Sequence, residues 1–500
     1  MTPKMIADDL LILKKFKKCK VLVVGDFILD VYLQGDCTRL APEASVPVID
    51  INTKQFCLGG AANVAANLTG MGATVMFCSV MGVDDASAKS IQLLQDSGVS
   101  VDNILLDQHR STVVKTRVVA PSHTLVRFDE GTDVMLTTEA ETGIIHMLHQ
   151  AYFQCDAVLI ADYDKGLLTP TVIAELKKLK LMEDKPIAVD SKRAEAFSQL
   201  SPSLIKPNYE EAIKLLSLPH SCESRIEQLR PYGAHFYKKT NAALIALTLD
   251  HEGALFYKEG EFVHRSFAPV VKNPNVSGAG DTFISALLLS LLSGASVSTG
   301  AEIASAAACV AISKQDTAVC TAAELYNVLT FGEKSIHLMS QLKQKCRQLI
   351  EEGKTIVFTN GCFDILHSGH VNYLRQARDM GDVLIVGLNN DESIRRLKGK
   401  ERPINSLESR MEVLSALQCV DFIVPFGSQR DDTPTHLIKL IQPQVFVKGG
   451  DYQNKNLPEK KTLERIGCRV VYVPHHFHHS TTQIIEKVKN NEHLKIAIAN

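Results

Sequence analysis

The chemistry open to this chain is concentrated where glycines lead into a helix and a carboxylate or imidazole follows. Asn275-Val276-Ser277-Gly278-Ala279-Gly280-Asp281-Thr282 runs directly into an apolar stretch with helical character. Glycines let the backbone approach a phosphate closely, and a helix N-terminus points free N–H groups at it. Gly278, Ala279 and Gly280 are therefore candidates for an anion hole, and Asp281 stands where a nearby hydroxyl would lose its proton. The plainer alternative is a tight turn with an Asp near a helix start. Gly59-Gly60-Ala61-Ala62-Asn63 is a second glycine-rich entry to a helix. Asn208-Tyr209-Glu210-Glu211, after Pro207, can be read as a helix cap.

Far downstream, Thr359-Asn360-Gly361-Cys362-Phe363-Asp364-Ile365-Leu366-His367-Ser368-Gly369-His370 follows a buried strand and opens a helix. Histidines spaced H-x-G-H can reach nucleotide phosphates and donate hydrogen bonds as charge builds on phosphorus. No Cys or Glu at suitable spacing completes a zinc site, so no resident metal is assigned to these residues. Two decoys can be set aside. Gly353-Lys354-Thr355 has Gln348 where a P-loop needs its first glycine, and a strand follows instead of a helix. His475-His476-Phe477-His478-His479 lacks partner cysteines, which favours solvated or phosphate-facing rings.

These motifs need elements to hold them. Short β-branched runs alternate with helical segments, as in parallel α/β sheets. In the first part Lys20–Val24, Val46–Ile51, Thr74–Val80, Ala157–Ala161, Ile187–Val189 and Leu244–Leu247 read as strands, and Thr112–Val119 with Leu125–Phe128 as a hairpin of a small lid sheet. A second alternation from Lys354 predicts a doubly wound unit of about five parallel strands. Between them Ile336, Met339, Leu342, Cys346, Leu349 and Ile350 recur at helical spacing. The expected organisation is a first domain over 1–330, a connecting helix or linker over 331–353 and a second domain over 354–500.

Five hundred residues exceed one hydrophobic core. Lys plus Arg (54) nearly balances Asp plus Glu (56), so no global basic field draws the chain onto nucleic acid or anionic lipid. An aromatic content of 6%, without Trp, disfavours a stacking platform for single strands. Apolar runs such as Ala286–Leu292 and Ala304–Ile312 are too short to span a bilayer. Twelve scattered cysteines, with no C-x-x-C pair, suit reduced thiols. The expectation is a cytoplasmic enzyme with neither a nucleic-acid nor a membrane partner.

Over roughly residues 15–320 the glycine motifs resemble the ribokinase (PfkB-type) sugar kinase family. That resemblance implies a three-layer α/β domain with a small β lid, with Asp281 as catalytic base and Gly278–Gly280 as anion hole. It sets Asp30, Gly59, Gly60 and Asn63 against sugar hydroxyls, and Asn208 to Glu211 beside ATP and its Mg²⁺. The family carries Asp-x-Thr where this chain has Asn275 and Ser277, which removes a charge near the cation site and leaves a need for K⁺ open. Thr38–Val48 and Ala161–Gly166 resemble the heptose-phosphate kinase branch, in which Arg39, Arg117, Arg127 and Lys165 are cations able to hold a distal phosphate.

Residues of about 354–490 resemble the cytidylyltransferase-like nucleotidyltransferase family, a Rossmann-like fold. By that resemblance His367 and His370 touch the triphosphate, with Asn360, Gly361, Phe363 and Lys398 near the nucleotide. Lys448 and Gly449 follow a later strand, and Ser480, Thr481 and Thr482 match the closing S-T-T element. Together the resemblances imply phosphorylation of heptose 7-phosphate at C1 by ATP, then transfer of AMP from ATP to heptose 1-phosphate with release of pyrophosphate. That is the chemistry of ADP-heptose synthesis for lipopolysaccharide core. A separate 7-phosphate phosphatase is implied between the steps, and a homodimer by the family likeness. Three alternatives stay open: another phosphosugar, CTP in place of ATP, or a first half that is a dimerisation or effector-binding scaffold.

Overall fold

The computed structural model describes residues 10–120, 123–220, 224–268, 277–314, 317–331, 334–336, 339–428, 431–453 and 457–474. The chain forms two units, Met1–Leu329 and Thr330–Asn500.

The first unit's strands begin with β1 (Lys20–Gly25), β2 (Phe27–Leu40), β3 (Pro47–Gly60), β4 (Thr74–Gly82), β5 (Ile104–Asp107), β6 (Val114–Ala120) and β7 (His123–Glu130). They continue with β8 (Ala157–Asp162), β9 (Ile187–Ser191), β10 (Leu204–Ile205), β11 (Leu244–Thr248), β12 (Ala254–Lys258) and β13 (Glu261–Ser266). Nine of them form one sheet in the order β13-β12-β11-β10-β9-β8-β1-β4-β5. Its strands are parallel except for β12 and β13, which extend the edge antiparallel. Consecutive residues of the interior strand β1 feed opposite faces, which is why it reads as an unbroken apolar run. Val21 and Val23 pack with the helices Ala61–Gly70, Ala279–Leu292 and Val297–Ile312. Leu22 and Val24 pack with Ile144, Leu148 and Leu176 on the other face.

A second, four-stranded sheet has the order β3-β2-β6-β7. It supplies the expected lid, and the anticipated hairpin is its β6–β7 pair. The expected strand Val46–Ile51 proves to be the tip of the fourteen-residue β3. Its partner β2, also fourteen residues, escaped the sequence reading. Phe27–Tyr32 are buried on both faces while Asp36–Leu40 are exposed, so no single alternation runs along the strand. The β12–β13 edge was missed for a local reason: its turn is Glu259-Gly260, both at positive φ, where Asn-Gly would have been the usual signal.

Among its described residues the second unit has five parallel strands, β14 (Ile356–Gly361), β15 (Val383–Asn389), β16 (Phe422–Phe426), β17 (Val445–Gly449) and β18 (Arg469–Val473). Their order is β16-β15-β14-β17-β18, a doubly wound sheet as expected. The helical stripe before it forms the helix Met339–Glu351, whose Leu342, Cys346 and Leu349 join the core of Ile356, Phe358 and Leu437. That helix is part of the second unit. An unanticipated helix, Asp391–Lys398, is started by Asn390, whose side chain accepts from the Ser393 N–H.

Candidate functional site

In the first unit the carboxyl ends of β8, β9 and β10 meet the N-termini of the helices Tyr209–Leu216 and Ala279–Leu292 beneath the lid. Between them lies a cavity of about 280 Å³, lined by groups that include Asp30, Gly60, Arg117, Asn208, Glu211, Gly278, Gly280 and Asp281. Strand order reverses beside it: β1 leads to β4 on one side and β8 follows on the other. Such a switch point is the usual place for a ligand on an open α/β sheet.

Asp281 is buried in the first turn of its helix. Gly278 caps that helix at φ +78°, and a Cβ there would stand 2.6 Å from Asn63 Nδ2, so glycine is required twice over. Asn63 Nδ2 donates to Asp281 Oδ2 at 2.8 Å, and the Tyr163 hydroxyl donates to Oδ1 at 2.5 Å. Burial, and then the nearby charge of Asp190, push the Asp281 carboxyl up to about 6; the two hydrogen bonds and Lys206 pull the other way. The Lys206 ammonium pairs with Asp190 at 3.1 Å and comes within 3.0 Å of where a Gly280 Cβ would be. Burial works against the charge on Lys206, yet Asp190, Glu211 and Asp281 together hold it above the ordinary lysine value.

Of the residues expected here, Asp281, Gly278, Gly280, Gly60, Asn208, Glu211, Asp30 and Arg117 line the cavity. Asn63 reaches it through Asp281, Ala279 occupies the first turn of the same helix, and Gly59 lies against the Asp30 carboxylate. Asn208 and Glu211 form a capping box, each side chain bonded to the other's backbone N–H at 2.9 Å, so the cap and the cavity wall are one feature. Tyr209 and Glu210 belong elsewhere, because helix geometry turns them away. The Tyr209 ring is buried under the Arg225 guanidinium, and Glu210 is exposed near His220.

Of the expected distal cations, Arg117 alone lines the cavity among the described residues. Arg39 sits on the exposed outer half of β2, outside the cavity lining, and Arg127 is an exposed partner of Asp129 at 2.6 Å on the edge strand β7. Lys165 pairs with Asp133 at 3.5 Å. The cavity instead receives Lys115 from β6, Lys192 after β9 and Lys206 after β10. Charge alone does not say which strand end a lysine reaches, so sequence spacing could not select these. Asn275 lies outside the described residues.

In the second unit the loop after β14 crosses the carboxyl edge next to β17, where strand order again reverses. The chain turns at Phe363, φ +42°, and the helix Ser368–Arg378 begins after His367. The His367 and His370 rings lie 3.9 Å apart between centroids, and Phe363 is 5.3 Å from His370. Asn360 and Gly361 end β14, and Lys448 and Gly449 end the adjacent β17. Asn360 Oδ1 is buried with no hydrogen-bond partner among the described residues, an acceptor that a bound ligand could satisfy. Lys448 is buried, 4.8 Å over the Tyr452 ring. Lys398 is exposed at the end of its helix, yet its charge opposes the burial that pushes the Cys362 thiol up.

Two buried side chains fix this loop and escaped the sequence reading. Asp364 accepts from Arg402 Nε at 2.5 Å and from the N–H groups of Ile404 and Asn405. Arg410 donates to the carbonyls of Cys362 and Asn389 at 2.7 and 2.8 Å and to Asp391 at 2.7 Å. Ser480, Thr481, Thr482 and His475–His479 lie outside the described residues. Among those described, no cluster of His, Cys, Asp and Glu forms a metal site, and no helix is long and apolar enough to cross a membrane.

The pfkB family carbohydrate kinase model matches residues 18–324, and the Cytidylyltransferase-like model matches residues 358–487. Similarity to curated proteins runs through both units. The chain is 36% identical over 479 residues to the "Bifunctional protein HldE" of Desulfatibacillum aliphaticivorans, covering 95% of this chain and 97% of that one. It is 37% identical over 475 residues to the protein of the same name from Helicobacter pylori, covering 94% and 98%. Among solved structures, Escherichia coli phosphofructokinase-2 in complex with substrates and products superposes with a TM-score of 0.52 at 17% identity, covering 62% of this chain and 98% of that one. Arabidopsis thaliana ribokinase complexed with ribose and ATP gives 0.50 at 19%, covering 63% and 99%. These two superpositions establish the first unit's fold.

Proposed function

This chain belongs to the family of bifunctional HldE proteins, and on that premise we infer that it makes ADP-heptose in two separate phosphorus-transfer steps, one in each unit. The first unit is a sugar kinase and the second a nucleotidyltransferase. Support for the kinase step rests above all on the buried Asp281 carboxylate, set beside the glycines of a helix N-terminus at the floor of a polar cavity.

In that step the anomeric hydroxyl of heptose 7-phosphate gives its proton to Asp281 as its oxygen attacks the γ-phosphorus of ATP. The P–O bond to ADP breaks, and heptose 1,7-bisphosphate forms. The backbone amides of Gly278–Gly280 face the negative charge that develops on the transferred group, and the Lys206 ammonium beside Gly280 helps to offset it. Asp30 and Asn63 border the sugar side. Lys115, Arg117 and Lys192 are the cations we assign to the distal phosphate, in place of Arg39 and Arg127. The side chains of Asn208 and Glu211 suit Mg²⁺, which usually takes one or two protein oxygens and keeps water and phosphate as its other ligands. When bound there, the ion would offset negative charge between the nucleotide phosphates.

In the second unit the 1-phosphate oxygen of heptose 1-phosphate attacks the α-phosphorus of ATP and expels pyrophosphate. That nucleophile is already an anion, so no protein base is needed. His367, His370 and Lys448 orient the triphosphate and offset its charge, while the Asn360 acceptor helps hold the nucleotide. The 7-phosphate must leave between the steps, and a separate phosphatase is the proposed agent. We place the enzyme in the cytoplasm, where scattered cysteines with no C-x-x-C pair stay reduced thiols.

A phosphorus NMR time course tests the order of events. Heptose 7-phosphate with Mg-ATP should give the 1,7-bisphosphate, and ADP-heptose with pyrophosphate should follow only after a 7-specific phosphatase is added. No bisphosphate in the first stage would overturn the kinase assignment.

A further inference from the structure

The Tyr163 hydroxyl lies 2.5 Å from Asp281 Oδ1, yet neither the glycine motifs nor the helix cap calls for it. It stands just past the end of β8, whereas Asn63 comes from the helix Ala61–Gly70, so two elements grip the Asp281 carboxylate from different sides. We propose that Tyr163 is a positioning residue of the kinase site: its hydroxyl fixes Asp281 Oδ1 while Asn63 fixes Oδ2, so that the carboxylate meets the sugar hydroxyl in a single orientation. The proposal rests on the reading of Asp281 as base.

Both grips are themselves held. Asn67 donates to the Asn63 side-chain oxygen at 3.2 Å and to its carbonyl at 2.9 Å, and Asn67 accepts from Thr282 and from the Cys320 N–H, each at 3.0 Å. On the other side the Tyr163 N–H donates to Asp26 at 2.9 Å, and the same carboxylate takes the N–H groups of Lys165 and Leu167 at 3.1 Å. The tyrosine loop is thus tied to the residue between β1 and β2. A carboxylate bonded at each oxygen cannot turn about its Cβ–Cγ bond without breaking one contact. It still keeps lone pairs for the substrate hydroxyl, since each oxygen can accept more than one bond.

Tyr163 also suits the task as a donor that does not titrate. Burial first, then the charges of Asp281 and Asp190, hold its hydroxyl well above the ordinary tyrosine value, so it keeps its proton throughout the working range. The other groups that bear on the pair are Asp190 and Lys192 at the end of β9, Lys206 after β10, Glu211 on its helix and Lys115 of β6, whose ammonium is 5.7 Å from the Tyr163 ring centroid.

The test is the pH dependence of kinase kcat and of KM for heptose 7-phosphate. It compares the wild type, Tyr163→Phe, Tyr163 replaced by 3-fluorotyrosine, and Asp281→Asn. With the donor removed, Tyr163→Phe should lower kcat about tenfold with little change in KM and move the acid limb up by about one pH unit. The more acidic fluorophenol is a stronger donor and should move the limb the opposite way. Wild-type kcat and limb in Tyr163→Phe would overturn the proposal. If that variant does not fold, a fluorotyrosine profile that coincides with the wild type would overturn it instead. Retained turnover in Asp281→Asn would sink the base assignment itself, a result distinct from either.

Discussion

At the scale of single residues, the kinase site is governed by crowding of like charge. As the proposed base, Asp281 must be ionised to take a proton, and burial with Asp190 nearby pushes its carboxyl up to about 6. Kinase turnover should therefore fall as pH drops through about 6, as protonation removes the base. Asp190→Asn removes the like charge, so the Asp281 value should fall and the acid limb should move to lower pH. A pH profile of kcat checks both, and an unmoved limb would mean that another group sets it. Asp281 itself was legible, because glycines before a helix are a local signal. Lys206, Asp190 and Tyr163 were not singled out as site residues, because three strand ends distant in sequence bring them together. Arg39 and Arg127 lie outside the cavity lining for the converse reason: their charge was visible in the sequence, their exposed places on β2 and β7 were not.

At the scale of elements, the strand-to-helix turn of the second unit depends on Arg410. Its guanidinium is buried and satisfies the carbonyls of Cys362, Asn389 and Asn405 as well as Asp391. Arg410→Met would leave those acceptors unpaired and should cost about 3 kcal/mol, in the range for breaking one side of a buried pair. Urea unfolding followed by circular dichroism should show the loss, together with slower pyrophosphate release as the histidine loop loosens. A variant as stable as the wild type would show that water replaces the guanidinium. Helices and parallel strands were mostly legible, because each buries a periodic or continuous apolar face. The lid strand β2 was not, because it passes from a buried half to an exposed half within one element. The link from Arg410 back to Cys362 spans 48 positions, and no local pattern announces it.

At the scale of the whole molecule, each of the two units has its own sheet and its own proposed phosphate-handling groups. An equimolar mixture of Asp281→Asn and His370→Ala chains should therefore restore ADP-heptose formation in the presence of the 7-phosphatase, because the intermediates diffuse between molecules. Neither variant alone should produce it. A mixture that stays inactive would mean that each reaction needs the other unit intact in the same chain.

The kinase cavity has one more consequence. Among the described residues its lining has five carboxylates against four cations, so it offers no standing positive potential despite the role with phosphates proposed for it. An anion that arrives alone gains little there, and the countercharge for a nucleotide must travel in with it. Free ATP without a divalent cation should therefore bind the kinase cavity more weakly than Mg-ATP, which calorimetric titration with and without Mg²⁺ would show.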